Sequence, residues 1–268
     1  LVLVPEQFIM QTQKDLCLMH PRGGIMNIDV LSFGRLAHRV FEEVGQDGRT
    51  VLDDEGKNLI LRKIAGNYEA ELSVLKGHLK KQGYISEVKS VISEFTQYGV
   101  DIERLDEFME SVTPDSYLYY KLRDIRKVYE GFEEYLSERY ITKEEMLDIL
   151  SDAVPRSAIL KGSVVAMDGF TGFTPVQDRL IGELLKVCDK VVITVEMDER
   201  EDPFVYRHPY QLFALSKQMV TSLVEIAHDA GTETEGPVCL YGKPPKRFEH
   251  NPEMAGVPLN RSKSFTVK

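Results

Sequence analysis

Long apolar runs are missing from this sequence. Although 43% of its 268 residues are hydrophobic, no stretch reaches the ~20 apolar residues that a bilayer-spanning helix needs. A secretory signal is missing too, because the opening LVLVPEQF has no basic region and meets Pro5 early. That opening also lacks a Met and reads as the inside of a strand, so a piece of a longer protein is expected. Cysteine is scarce: Cys17, Cys188 and Cys239 lie far apart and form no CxxC pair. This argues against a disulfide framework and against zinc or iron–sulfur sites, and makes a reducing, cytoplasmic setting the default. Positive charge is in short supply, with 33 Lys and Arg against 43 Asp and Glu and a net charge of −10. Such a surface repels nucleic acid on average, so any DNA contact must be local or assisted by a partner. An acidic balance also simply favours solubility.

The means of binding a nucleotide are missing as well. No G-x-x-x-x-G-K-[ST] loop occurs, and Gly56-Lys57 lacks the upstream glycine and is followed by Asn58. Without that lysine and its loop of amides, the chain is not expected to bind ATP productively. None of the six histidines stands beside a Ser or Cys in a nucleophile setting. His38 and Glu42 fall one turn apart on a helix, a spacing that suits a metal, but with no third ligand they read as a surface pair. Asp53-Asp54 and Glu144-Glu145 sit at helix starts, where the helix dipole accounts for them.

What is present alternates between two patterns. Residues 1–50 read as the first part of an α/β domain, with strands at Leu1–Val4 and Ile28–Leu31, a helix over Gln7–Cys17, and Ser32 placed to cap another. Residues 51–155 read as a helical domain, with a pattern that is helical throughout from Leu52 to about Leu150. Asp53 is an N-cap, and Thr113-Pro114 opens a helix striped by Leu118, Leu122, Ile125, Tyr129, Phe132 and Leu136. Thr142 and Glu145 form a capping box. Residues 156–230 return to α/β, with strands at Val164–Met167 and Lys190–Val195 around a helix that starts at Thr174-Pro175. This strand–helix–strand unit implies a right-handed parallel crossover. Gln211–Ala227 is a last helix. Residues 231–268, rich in Pro and Gly with a basic patch at Lys243–Arg247, read as a linker or extended tail. The simplest architecture is one α/β domain with a helical domain inserted between its strands.

One string carries chemical interest. Val164–Met167 is a strand that stops on Asp168, followed by GFTGFTPVQ. A strand-end Asp is where nucleotide-handling proteins hold Mg²⁺, with a following Glu to orient water. The following residue here is Gly169, which has no side chain to polarise water. Asp168 reads either as a metal-linked acid or as an acceptor for turn amides. Gln177 reads either as a phosphate sensor or as the partner of Thr174 in a capping box, and the cap is favoured.

The segments VPEQF (Val4–Phe8), LSFGRLAHRVFEEVG (Leu31–Gly45), EFTQYGV (Glu94–Val100), YEGFEEYLSERYI (Tyr129–Ile141) and DGFTGFTPVQ (Asp168–Gln177) occur in this order. Together they resemble the AddB (RexB) family, subunits of bacterial AddAB helicase–nucleases that process double-strand DNA breaks. The resemblance implies a RecA-like, superfamily 1 helicase-like α/β domain with an inserted all-helical domain. Active helicases of that group end the strand in Asp-Glu, with a Gln further on. Asp168, Gly169 and Gln177 therefore look like a degenerate metal and water motif, and no catalytic residue is expected here. The resemblance places the phosphate loop upstream of Leu1 and a four-cysteine nuclease domain downstream of Lys268. ATP, Mg²⁺ and an iron–sulfur cluster are thus expected in the full-length subunit and no cofactor in this segment. It also implies an AddA-type partner, contact with single- and double-stranded DNA, no membrane, and a part in reading a recombination hotspot (Chi). Gln7, Phe33, Arg35, His38 and Phe173 are the DNA-binding residues it points to. Arg suits a phosphate or guanine edge, Gln an adenine, and an aromatic ring an unpaired base. Core packing is the competing reading for Phe33 and Phe173, and a solvated helix face for Arg35. Ile9 stands where the family often has Thr, and His38 where an aromatic is common. Two other classes compete: a Mg²⁺-dependent phosphotransfer or phosphohydrolase domain using Asp168 and Asp198, and a protein-interaction scaffold that touches no nucleic acid.

Overall fold

The computed structural model describes residues 1–45, 49–137, 139–198 and 201–240, and the backbone of 261–267. The chain divides into two units: one made of Leu1–Gly45 and Ile149–Lys268, the other of Gln46–Asp148.

The first unit begins with β1 (Val2–Leu3), a 3₁₀ turn over Glu6–Phe8, and α1 (Ile9–Met19). β2 (Val30–Leu31) and α2 (Phe33–Val44) follow. Ser32 caps α2 as its spacing foretells, its hydroxyl accepting the Arg35 backbone N–H at 3.4 Å.

The second unit opens on β3 (Thr50–Val51) and continues through α3 (Asp54–Asn67), α4 (Gln82–Gln97), α5 (Ile102–Glu110) and α6 (Tyr117–Leu136). β4 (Tyr140–Ile141) pairs in parallel with β3, and α7 (Lys143–Ala153) carries the chain across the boundary. The stretch from Leu52 to about Leu150 is therefore not helical throughout, since β4 falls within it and a strand of two residues is too short to show a period. α6 starts at Tyr117, capped by Ser116, rather than at Thr113-Pro114, because Asp115 turns into the left-handed region at φ 60°. On α6, Leu122, Ile125, Tyr129, Phe132 and Leu136 are buried as the stripe requires, while Leu118 faces water. Gly131 lets Tyr68 approach, for a β-carbon there would lie 2.8 Å from its ring. Asp124, buried in α6, accepts the backbone N–H groups of Ser73, Val74 and Leu75 at 2.7–3.0 Å. Lys57 is buried against Glu144 at 2.7 Å and Ser93 at 3.2 Å. Burial pushes the Glu144 carboxyl up, but Lys57 beside it outweighs that and leaves it below the ordinary carboxylate range.

The chain returns to the first unit through a 3₁₀ turn at Val154–Arg156. β5 (Val164–Met167), α8 (Pro175–Val187), β6 (Lys190–Met197) and α9 (Ala214–Asp229) follow. β7 (Val238–Cys239) and β8 (Arg261–Val267) complete the sheet. Its order is β2-β1-β5-β6-β8-β7, parallel through β6 and antiparallel beyond it. The stretch after Gly231 is thus more than the expected linker or tail, because β8 takes the free edge of β6 and satisfies its backbone groups. The basic patch at Lys243–Arg247 lies outside the described residues. α8 buries Val176, Leu180, Ile181, Leu184 and Leu185, each contributing about 1.5–3 kcal/mol by removal from water. Among the described residues no helix is long and apolar enough to cross a membrane.

Candidate nucleic-acid interface

The parallel strands set the geometry. From β1 the chain moves to β2 on one side and then to β5 on the other. Loops at such a reversal part from one another, and ligands of open α/β sheets bind in the crevice outside the carboxyl ends of these strands. The loop after β1 holds Glu6, Gln7 and Phe8, the end of β2 leads to Ser32, Phe33 and Arg35, and β5 runs into Asp168.

Three aromatic rings gather there. Phe33 is buried, with its ring centre 5.3 Å from that of Phe170 and 6.4 Å from that of Phe173, and Phe170 and Phe173 are 5.2 Å apart. Phe33 therefore packs within the cluster, whereas Phe170 and Phe173 are half-buried and keep surface in water. Arg35 is exposed, and its Nε meets the Glu6 carboxylate at 3.3 Å. Ser32 donates its hydroxyl to the other Glu6 oxygen, so one carboxylate ties the β1 loop to the start of α2. Gln7 is exposed, and His38 is exposed one turn along α2 from Arg35. Glu42 is exposed on the same helix.

Asp168 lies on the surface at the end of β5. Its backbone N–H donates to the Leu3 carbonyl at 2.9 Å, and its carboxylate accepts the hydroxyl of Thr194. Met167 pairs with Ile193, so Thr194 stands directly across from Asp168 on the same face. Gly169 has φ +78°, where a β-carbon would meet Pro5 and Phe8 at ordinary contact distance, 3.6 and 3.7 Å. Space is available there; the backbone angle is what selects glycine. Gln177 makes the cap, its side-chain oxygen accepting the Thr174 backbone N–H at 3.0 Å. Asp198 is buried just past β6. Among the described residues no group of three or more His, Cys, Asp and Glu side chains is placed to hold a metal ion.

Glu6, Thr194 and Phe170 escape a reading by motif. Glu6 lies beside Gln7 in VPEQF, but only the fold sets it against Arg35. Thr194 carries no signal beyond strand alternation. Phe170 is visible as the first aromatic of the paired Gly-Phe string.

Residues 1–257 match the family described as "ADDB, N-terminal". The chain belongs to that family. It is 42% identical over 242 residues to an ATP-dependent helicase/deoxyribonuclease subunit of Lachnoclostridium phytofermentans, covering 90% of this chain and 21% of that protein. The subunit of the same name from Caldanaerobacter subterraneus is 36% identical over 260 residues, 97% of this chain and 22% of that protein. The one from Clostridium acetobutylicum is 30% identical over 260 residues, with the same coverage of 97% and 22%. The chain spans about a fifth of the length of the curated relatives it matches. Those relatives are named as subunits of enzymes that act on DNA, and this AddB N-terminal segment corresponds to one part of them.

Proposed function

We propose that this chain is the non-hydrolysing, helicase-like part of an AddB-type subunit of a helicase–nuclease for double-strand break repair. In this reading the first unit is a RecA-like α/β domain and the second a helical domain inserted in it, near residues 51–155. The segment guides single-stranded DNA, contributes to hotspot (Chi) recognition and docks an AddA-type partner in the cytoplasm. ATP, Mg²⁺ and an iron–sulfur cluster belong to parts of the protein outside it.

The observation that carries the reading is the gathering of Gln7, Arg35, Phe170 and Phe173 at the carboxyl ends of the parallel strands, in a chain of the AddB N-terminal family. Arg35 offers a guanidinium to a phosphate or base edge, Gln7 an amide to a base, and the half-buried rings a face to stack on. Asp168 bonded to Thr194 and followed by Gly169 supports a motif kept for shape.

The test uses the full-length subunit assembled with its partner. Arg35→Ala is expected to weaken binding of a single-stranded oligonucleotide and to lower the salt slope by about 0.7, as loss of one phosphate contact should. An unchanged hotspot response would remove Arg35 from the site. A Mg²⁺-dependent rise in melting temperature that Asp168→Ala abolishes would favour the phosphotransfer reading instead. No binding to DNA even at low salt would favour a protein scaffold.

A further inference from the structure

The segment between β6 and α9 leaves the same edge of the sheet and holds aromatic side chains in water. Tyr210 is 81% exposed and Tyr206 40%. Displaying rings in this way gains nothing for folding, since apolar surface is stabilised by burial. Residues 201–213 are nonetheless tied by hydrogen bonds. Gln211 Oε1 accepts the backbone N–H groups of Arg207 and His208, each at 3.3 Å, and Asp202 accepts that of Phe204 at 2.9 Å. At its foot the buried ammonium of Lys217 meets Glu201 at 2.5 Å. Phe213 closes the loop at φ +69°, a left-handed conformation that is strained for a bulky residue and collects at functional sites.

The rings of His208 and Tyr210 lie parallel, with centres 5.0 Å apart and planes 6° from each other. His208 covers one face of Tyr210, and the exposure of Tyr210 leaves the other face to solvent. Among the described residues the exposed Arg207 guanidinium makes no ion pair, while Asp202 and Glu201 are engaged within the protein. A flat ring pair with an uncommitted cation beside it suits an unpaired base and its phosphate.

We propose that this loop is a stacking platform for one unpaired base of single-stranded DNA. Tyr210 supplies the surface, His208 backs it, and Arg207 meets the adjoining phosphate. The proposal rests on the reading of this sheet edge as a single-strand interface and extends it by one strand, from β5 to β6.

The experiment titrates an oligodeoxythymidine containing one 2-aminopurine with the full-length subunit. Tyr210→Ala is expected to weaken binding by about fivefold or more, the loss that one stacked base implies, and to restore the fluorescence that stacking quenches. Tyr210→Phe is expected to keep both, which excludes a fold defect. Loss of affinity with Arg35→Ala but none with Tyr210→Ala would overturn the platform and leave the interface standing. No loss with either would overturn both. Unchanged DNA affinity with lost co-purification of the partner subunit on Tyr210→Ala would make the loop a protein contact and overturn the proposal.

Discussion

Glu6 and Arg35 form an ion pair, Oε1 to Nε at 3.3 Å, between the loop after β1 and the first turn of α2. Both side chains are mostly exposed, 64% and 60%, so the pair itself contributes no more than about 1 kcal/mol. Its consequence is electrostatic: for the proposed contact with single-stranded DNA, a guanidinium held by a carboxylate would have to exchange that partner for a phosphate. Glu6→Gln is expected to tighten binding of single-stranded DNA by up to about fivefold, the equivalent of that energy. Fluorescence anisotropy at low salt reads the change, and weaker binding would show that Glu6 positions Arg35 instead of restraining it.

Gly169 offers a second test. At its φ of +78° a β-carbon would make only ordinary contacts, so a side chain should cost backbone energy of about 1–2 kcal/mol and little else. Gly169→Ala and Gly169→Glu are expected to lower unfolding stability by similar amounts, and Gly169→Asn by less, because Asn tolerates this region. Denaturant titration decides. A neutral Ala with a costly Glu would point to crowding or charge in place of the backbone angle.

Asp178, in the first turn of α8, is held up to about 6 from an ordinary 3.8 by burial. The folded state keeps this proton more tightly than the unfolded one, so stability falls as pH rises from about 4 to about 6 and stays lowered above that. The penalty is at most about 3 kcal/mol and less where water reaches the carboxyl. Asp178→Asn should raise the melting temperature at neutral pH and leave it unchanged below about 4, where the carboxyl is neutral in both states.

In the helical unit, Lys57 and Glu144 are buried together, with side chains 3% and 11% exposed. Glu144→Ala strands the Lys57 ammonium and is expected to cost about 3–5 kcal/mol, whereas Lys57→Met with Glu144→Leu should recover most of it. Because the Glu144 carboxyl titrates below its usual range, the pair's contribution is present above that range and is lost as pH falls through the lower value. Acid titration of the single and double variants measures both effects.

Much of this was legible in the sequence because it depends on neighbours along the chain. The Ser32 cap, the Thr174–Gln177 box and the buried stripe of α6 each follow from spacings of three and four residues. The family resemblance was legible in short strings, DGFTGFTPVQ above all. β3 and β4 were not, since two residues set no period. β8 was not either, for its pairing with β6 is made across the long stretch after Gly231.

By itself the sequence determined the caps, the helical faces, the absence of a phosphate-binding loop and the glycine after Asp168, since each is written in residues a turn or less apart. Only the tertiary structure decided that Glu6 meets Arg35, that Thr194 faces Asp168 and that three phenylalanines cluster. Those contacts join residues separated by up to about 140 positions, and strand order rather than local propensity brings them together.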